Sequence, residues 1–274
     1  MLAKPIPSSG EMLPAIGIGT YKGFDLADGE QTRARLAEVL RRLFAAGGTI
    51  VDSSPMYGRA EARAGQALAA LGKQHDAFVM TKVWTSGREA GARQMRDSLM
   101  FFGVERIALM QIHNLVDWRT QLATLRKWQA DGRFKYVGLT HYTTGAFGEL
   151  ERVLTQVKVD FLQIPYAIAE REAEARLLPL CRERGVAVIA NVPLGAGRLM
   201  RAAGGKPVPA WAREFGAGTW AQFFLKYLLG HDACTCVIPG TGNPNHAADL
   251  LGAGEGRLPT EAERQRMIDA VAAL

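Results

Sequence analysis

The chain predicts an α/β fold of the (β/α)8 TIM-barrel type with an N-terminal β-hairpin closing the barrel bottom, and three observations carry that expectation. Eight short apolar runs rich in Val and Ile recur along the 274 residues, segments of helical spacing separate them, and no linker or shift in composition divides the chain. It is therefore read as one domain spanning 1–274, with an open doubly wound sheet as the structural alternative.

At the N-terminus, KPIPSSGEMLPAI places apolar residues on both sides of an SSG turn, the pattern of a small hairpin. The strand candidates follow as AIGIGT (15–20), TIVDSS (49–54), FVMTKVW (78–84), IALMQIH (107–113), YVGLT (136–140), FLQIP (161–165), VAVIANV (186–192) and CTCVIP (234–239). Between them lie helical stretches such as QTRARLAEVLRRLFAAG, EARAGQALAALG and REAGARQMRDSLMFFG, closing on a Gly where a C-cap wants one. After the seventh run, Leu194 to Gly218 holds six Gly and two Pro. That is long for a βα connection and reads as a functional or mobile loop.

With 48% hydrophobic residues the chain can build a substantial core, which excludes disordered and fibrous classes. No run approaches the roughly 20 apolar residues of a membrane span, and MLAKPIPSSGEML lacks the basic start and apolar segment of a secretory signal. A cytoplasmic location is expected, or export if a removed leader preceded this sequence. Cys181, Cys234 and Cys236 form no disulfide framework and read as core thiols, the last two on one face of their strand. The net charge of +6 is scattered among acids along helical segments, so neither nucleic acid nor membrane is expected as a partner. A monomer or weak homo-oligomer is expected.

In a barrel of this kind the chemistry sits at the C-terminal ends of the strands. Asp52, Lys82 and His113 each end an apolar run, on three consecutive strands, and Tyr57 follows five residues after Asp52 on the loop leaving the second run. A phenol with an ordinary pKa near 10 is too weak an acid at neutral pH unless its anion is stabilised. Lys82 would supply that stabilisation, Asp52 would keep the buried ammonium charged, and His113 would orient a carbonyl oxygen toward Tyr57. Such a set polarises and protonates a carbonyl but holds no reductant, so a hydride carrier is implied.

These residues resemble the aldo-keto reductase family, and the likeness runs from about Ser9 to Leu251. GEMLPAIGIGT resembles its opening hairpin and first strand, the block from Thr49 to Leu68 its Asp and Tyr signature, FVMTKVW its Lys strand and IALMQIHN its His strand. The resemblance implies NADPH, with NADH possible, bound without a dinucleotide glycine fingerprint, and an apolar or aromatic small-molecule carbonyl as substrate. It implies cofactor contacts at Gly19 and Thr20, at Thr140, His141 and Gln163 around the carboxamide, and at Leu194 and Gly195.

The chain departs from the family pattern where Asn191 replaces a Tyr that stacks under the nicotinamide. At the segment facing the adenosine 2′-phosphate, Gly240 stands for Lys, His246 for Arg and Leu250 for Asn, with Thr241 and Asp249 left as contacts. A phosphomonoester favours a persistent cation with several donors, which His supplies only partly at neutral pH. Tyr21, Phe24, Trp84 and Trp118 are candidates for the substrate pocket. Two other classes share the barrel: a metal-dependent hydrolase using Asp52, His113 and His141, poorly supplied by five histidines, and a cofactor-sensing protein with little turnover.

Overall fold

The computed structural model describes all 274 residues. A two-stranded antiparallel hairpin, β1 (Ala3–Pro5) and β2 (Met12–Pro14), precedes eight parallel strands. These are β3 (Ile18–Gly19), β4 (Ile50–Asp52), β5 (Phe78–Val83), β6 (Ile107–His113), β7 (Phe134–Thr140), β8 (Phe161–Pro165), β9 (Ala187–Asn191) and β10 (Cys234–Val237). Each pairs with the next in sequence order. Parallel bridges Ile16 to Val237 and Gly19 to Gly240, with Gly17 N donating to Val237 O at 2.9 Å, join the first and last strands and close the barrel.

Helices α1 (Glu30–Ala45), α2 (Ala60–Ala70), α3 (Arg88–Phe102), α4 (Trp118–Ala130), α5 (Phe147–Gln156), α6 (Glu172–Ala175), α7 (Leu177–Glu183), α8 (Arg198–Ala203), α9 (Trp220–Leu229), α10 (Pro244–Gly252) and α11 (Glu261–Ala272) complete the chain. The period-2 alternation of the strands sorts their side chains into two cores. Ile50, Phe78, Met80, Leu109, Tyr136, Phe161 and Ile189 fill the barrel together with Ile6 and Leu13 of the hairpin region. Val51, Val79, Val83, Ile112, Val137, Leu162 and Val188 face outward into the larger core beneath the helices. Tyr136 reaches down from the interior and donates to Glu11 at 2.6 Å, which ties the hairpin to the barrel floor.

Three expectations change. Cys234 lies in the outer core and Cys236 in the inner one, because a bulge sets both opposite the adjacent Val188 and Ile189 and so breaks the period of two. The stretch from Leu194 to Gly218 is folded around α8 and 3₁₀ turns at Gly195–Gly197 and Ala210–Phe215, with Leu199, Ala203, Ala212 and Phe215 buried. The first barrel strand is only two residues long, its ladder being carried by isolated bridges on either side.

Candidate active site

Strand register builds the site. Asp52 pairs with Met80, Lys82 with Gln111, His113 with Thr140, Thr140 with Gln163 and Pro165 with Asn191, so polar residues crown an apolar interior around one rim. Lys82 is fully buried and donates from Nζ to Asp52 Oδ1 at 2.8 Å and to the Ser53 carbonyl at 2.6 Å. Burial works against its charge, but Asp52 and Tyr57 outweigh it and hold the ammonium's pKa above its ordinary value.

Tyr57 is half-buried, its ring centroid 5.2 Å from Lys82 Nζ and 6.3 Å from the His113 ring, edge to face. Burial raises the phenol's pKa, and the neighbouring Lys82 charge pulls it back. The loop carrying Tyr57 is clamped by Asp25, which accepts from Arg59 N and Nε, both at 3.1 Å. Gly58 lies under that carboxylate with φ +60°, where a Cβ would strike Asp25 at 2.6 Å, so the clamp needs glycine there.

His113 is buried beside Ser54, whose Oγ is 3.1 Å from Nδ1. Burial, with Lys82 and His141 adding to it, lowers its pKa to about 3, and the ring is neutral at physiological pH. In the tautomer in which the Ser54 hydroxyl donates to Nδ1, the proton sits on Nε2, where a carbonyl oxygen could accept it. The four residues expected to act together are therefore brought together, and the structure adds Ser54 and Gln111. The signal for Gln111 lay in the sequence: two residues before His113, it shares that residue's face of the strand.

Of the other candidates, Thr140 and Gln163 face the interior beside this set, and Gln163 Oε1 accepts from Gln111 Nε2 at 2.7 Å. His141 is half-buried, and Asn191 Nδ2 donates to its carbonyl at 3.1 Å. Gly19 is buried at the seam, and Thr20 spends its hydroxyl on Ser53 Oγ at 2.8 Å. Gly195 is buried next to half-buried Leu194. Gly240 and His246 are exposed, while Thr241 Oγ1 accepts from Asn243 N at 3.0 Å in the turn entering α10. Asp249 accepts from Thr219 Oγ1 at 2.8 Å and Gln222 Nε2 at 3.0 Å, which commits one carboxylate oxygen to α9.

Tyr21 is 56% exposed with its ring 4.9 Å from that of Tyr57, and Trp84 is 42% exposed with its ring 6.5 Å from His113. Both border the set formed by Asp52, Tyr57, Lys82 and His113. Trp118 packs half-buried against the outer core. Phe24 has no exposed surface and is sealed into that core, so its apolar character serves packing and not the mouth. Met56, Tyr142 and Met200 are exposed on segments following rim strands, and no motif or period in the sequence marks them. No group of three His, Cys, Asp or Glu side chains is arranged to hold a metal ion, and Asp52, His113 and His141 form no such group.

The family model described as the aldo/keto reductase family matches residues 15–272. This chain belongs to the aldo-keto reductase family. It is 30% identical over 249 residues to methylglyoxal reductase YeaE of Escherichia coli, an alignment covering 86% of this chain and 84% of that protein. Aldo-keto reductase str7 of Strobilurus tenacellus is 30% identical over 263 residues, covering 82% and 77%. An aldo/keto reductase from Klebsiella pneumoniae, crystallised with NADP and acetate, superposes with a TM-score of 0.80 at 22% identity, over 99% of this chain and 96% of that one. Family membership makes the chain an oxidoreductase. No helix in it is long and apolar enough to cross a membrane.

Proposed function

We propose that this aldo-keto reductase reduces small aldehydes or ketones to alcohols with NADPH, and less well with NADH, using Tyr57 as general acid. The observation that carries the reading is the buried Lys82–Asp52 pair directly beside the Tyr57 ring. A fixed ammonium there stabilises the phenolate left behind when the proton departs. Neutral His113 donates from Nε2 to the carbonyl oxygen and holds it toward Tyr57 Oη. The hydride for the carbonyl carbon would come from a nicotinamide seated at the mouth; Tyr57 gives its proton to the oxygen and is reprotonated from solvent.

The residues at the mouth fit such a cofactor. Thr140, Gln163 and Asn191 line the rim, and Asn191 Oδ1 is a buried acceptor with no partner. At the adenosine end, exposed His246 would meet the 2′-phosphate with its side chain and its backbone N–H, since α10 opens on Pro244 and the Asn245 N–H is capped by Asn243 Oδ1 at 2.9 Å. A side chain at Gly240 would make only ordinary contact, its nearest neighbour Gly19 O at 3.4 Å, so the missing cation is not a demand of the fold. The exposed Tyr21 and Trp84 suit an apolar or aromatic substrate, and the Escherichia coli relative's name points to a small dicarbonyl.

The test is NADPH oxidation with 4-nitrobenzaldehyde and with methylglyoxal, comparing the parent chain with Tyr57→Phe. Loss of the acid should lower kcat by about 10² to 10⁴ while leaving NADPH affinity unchanged. Equal turnover in Tyr57→Phe would remove Tyr57 from its role. Tight NADPH binding without reduction of any carbonyl would favour a cofactor-binding protein, the reading that the changed residues Asn191 and Gly240 keep open.

A further inference from the structure

Around the barrel mouth Gln111 Oε1, Asn114 Oδ1 and Asn191 Oδ1 are buried acceptors without a donor, and the last of them has neighbours of the opposite polarity. Gln163 has its oxygen taken by Gln111 Nε2 at 2.7 Å, so its amide presents N–H on the side of Asp52, which it helps to hold charged. His141 Nδ1 accepts from Thr143 N at 3.2 Å, so the neutral ring carries its proton on Nε2 and also presents N–H. Asn191 is oriented the other way. Its Nδ2 donates to the His141 carbonyl at 3.1 Å, and its Oδ1 is buried without a partner in a residue only 9% exposed.

Turning that amide over would set Oδ1 against the His141 carbonyl oxygen, so the acceptor is locked in place. The next residue, Val192, holds φ +50°, a conformation that β-branched residues rarely adopt. Strain of this kind persists where the surroundings enforce it, and it clusters at functional sites. A buried acceptor without a donor is unfavourable and in native structures calls for a water, an ion or a ligand.

We propose that Asn191 is a cofactor-positioning residue whose Oδ1 accepts a hydrogen bond from the carboxamide NH2 of a nicotinamide seated at the barrel mouth. This rests on the nicotinamide-dinucleotide reading above. The simple aldehyde or ketone group of a substrate offers only acceptors and cannot satisfy Oδ1. The nicotinamide ring brings a single donor group, its carboxamide. His141, presenting N–H, suits the carboxamide oxygen, and Asn191 completes the pairing on the nitrogen side. The ring is then gripped at its polar edge instead of by an aromatic face.

The test is a fluorescence titration of the full chain with NADP⁺ and with its 3-acetylpyridine analogue, in which a methyl group replaces the amide NH2. The parent chain should bind the analogue about five- to tenfold more weakly, the worth of one hydrogen bond. In Asn191→Ala the two ligands should converge to within about twofold, because the acceptor is gone. Asn191→Leu, closer in volume, repeats the comparison if the Ala variant does not fold. Equal affinity of the parent chain for both ligands overturns the proposal, since the donor would then be a ribose hydroxyl or absent. So does discrimination that survives removal of Asn191, which would move the acceptor to Thr140. Failure of both dinucleotides to bind the parent chain would instead overturn the cofactor reading.

Discussion

His113 shows how one burial serves both chemistry and stability. Removal from water, reinforced by the Lys82 charge, lowers its pKa to about 3, so the imidazole stays neutral and, in the proposed mechanism, acts as a hydrogen-bond donor and not as the acid. A kcat/KM profile should then show no His113 inflection between pH 5 and 8, leaving Tyr57 as the group whose deprotonation ends activity at high pH. The unfolded chain, by contrast, takes up a proton on this residue near pH 6.5. Between that pH and about 3 the unfolded state binds the extra proton, so stability falls as pH falls, with a limiting slope of about 1.4 kcal/mol per pH unit. His113→Asn should therefore flatten the fall in urea-unfolding free energy between pH 6.5 and 4.5 relative to the parent chain. Parallel curves would assign the proton uptake to other groups.

At the scale of elements, the loop bearing Tyr57 runs straight into α2, and α2 is fixed by an unusually close crossing. Glu61, one turn past Tyr57, accepts from Thr81 Oγ1 of β5 at 2.5 Å and from Ser98 Oγ of α3 at 2.8 Å. Beside it, a Cβ on Gly65 would meet the Phe101 carbonyl oxygen at 1.8 Å, a backbone atom that cannot swing aside. Gly65→Ala must then part α2 from α3, against the small gain in helix propensity that Ala normally brings. A loss of about 1 to 3 kcal/mol is expected, read as a lowered midpoint in urea; an unchanged or raised midpoint would mean that the crossing relaxes freely. The sequence of α2 shows its helical period but not this approach, because the partner backbone belongs to a later helix. Strand placement was legible for a complementary reason: period-2 alternation writes the inward face of IALMQIH and FVMTKVW, and Lys82 and His113 continue that face. Where local geometry departs from the period, as at the Cys234–Cys236 bulge, face assignment fails. Phe24 failed differently, since proximity to a rim strand in sequence does not say which way the chain turns next.

For the whole molecule, the barrel seam is closed by few hydrogen bonds, and the chain end is held onto the barrel by a buried polar network. Arg264 of α11, 4% exposed, donates from Nε to the Tyr227 carbonyl of α9 at 3.1 Å and from Nη2 to Glu174 Oε1 at 2.9 Å and Tyr166 Oη at 3.1 Å. Tyr166 and Tyr227 both donate to the same Glu174 oxygen. Four parts of the chain, after β8, in α6, in α9 and in α11, thus meet at one carboxylate. Glu174 is the charged group among these partners, and the guanidinium balances it. Removing it in Arg264→Leu leaves partly exposed Glu174 with two phenol donors and no cation, and should cost about 1.5 to 3 kcal/mol in urea unfolding. The double variant Arg264→Leu with Glu174→Leu removes both charges and should recover a substantial part of that loss, because the penalty lies mainly in the unpaired partner and not in the absence of the pair. If the double variant instead lost the sum of the two single effects, the network would be a set of independent contacts, and α11 would be held by its apolar face around Met267 alone.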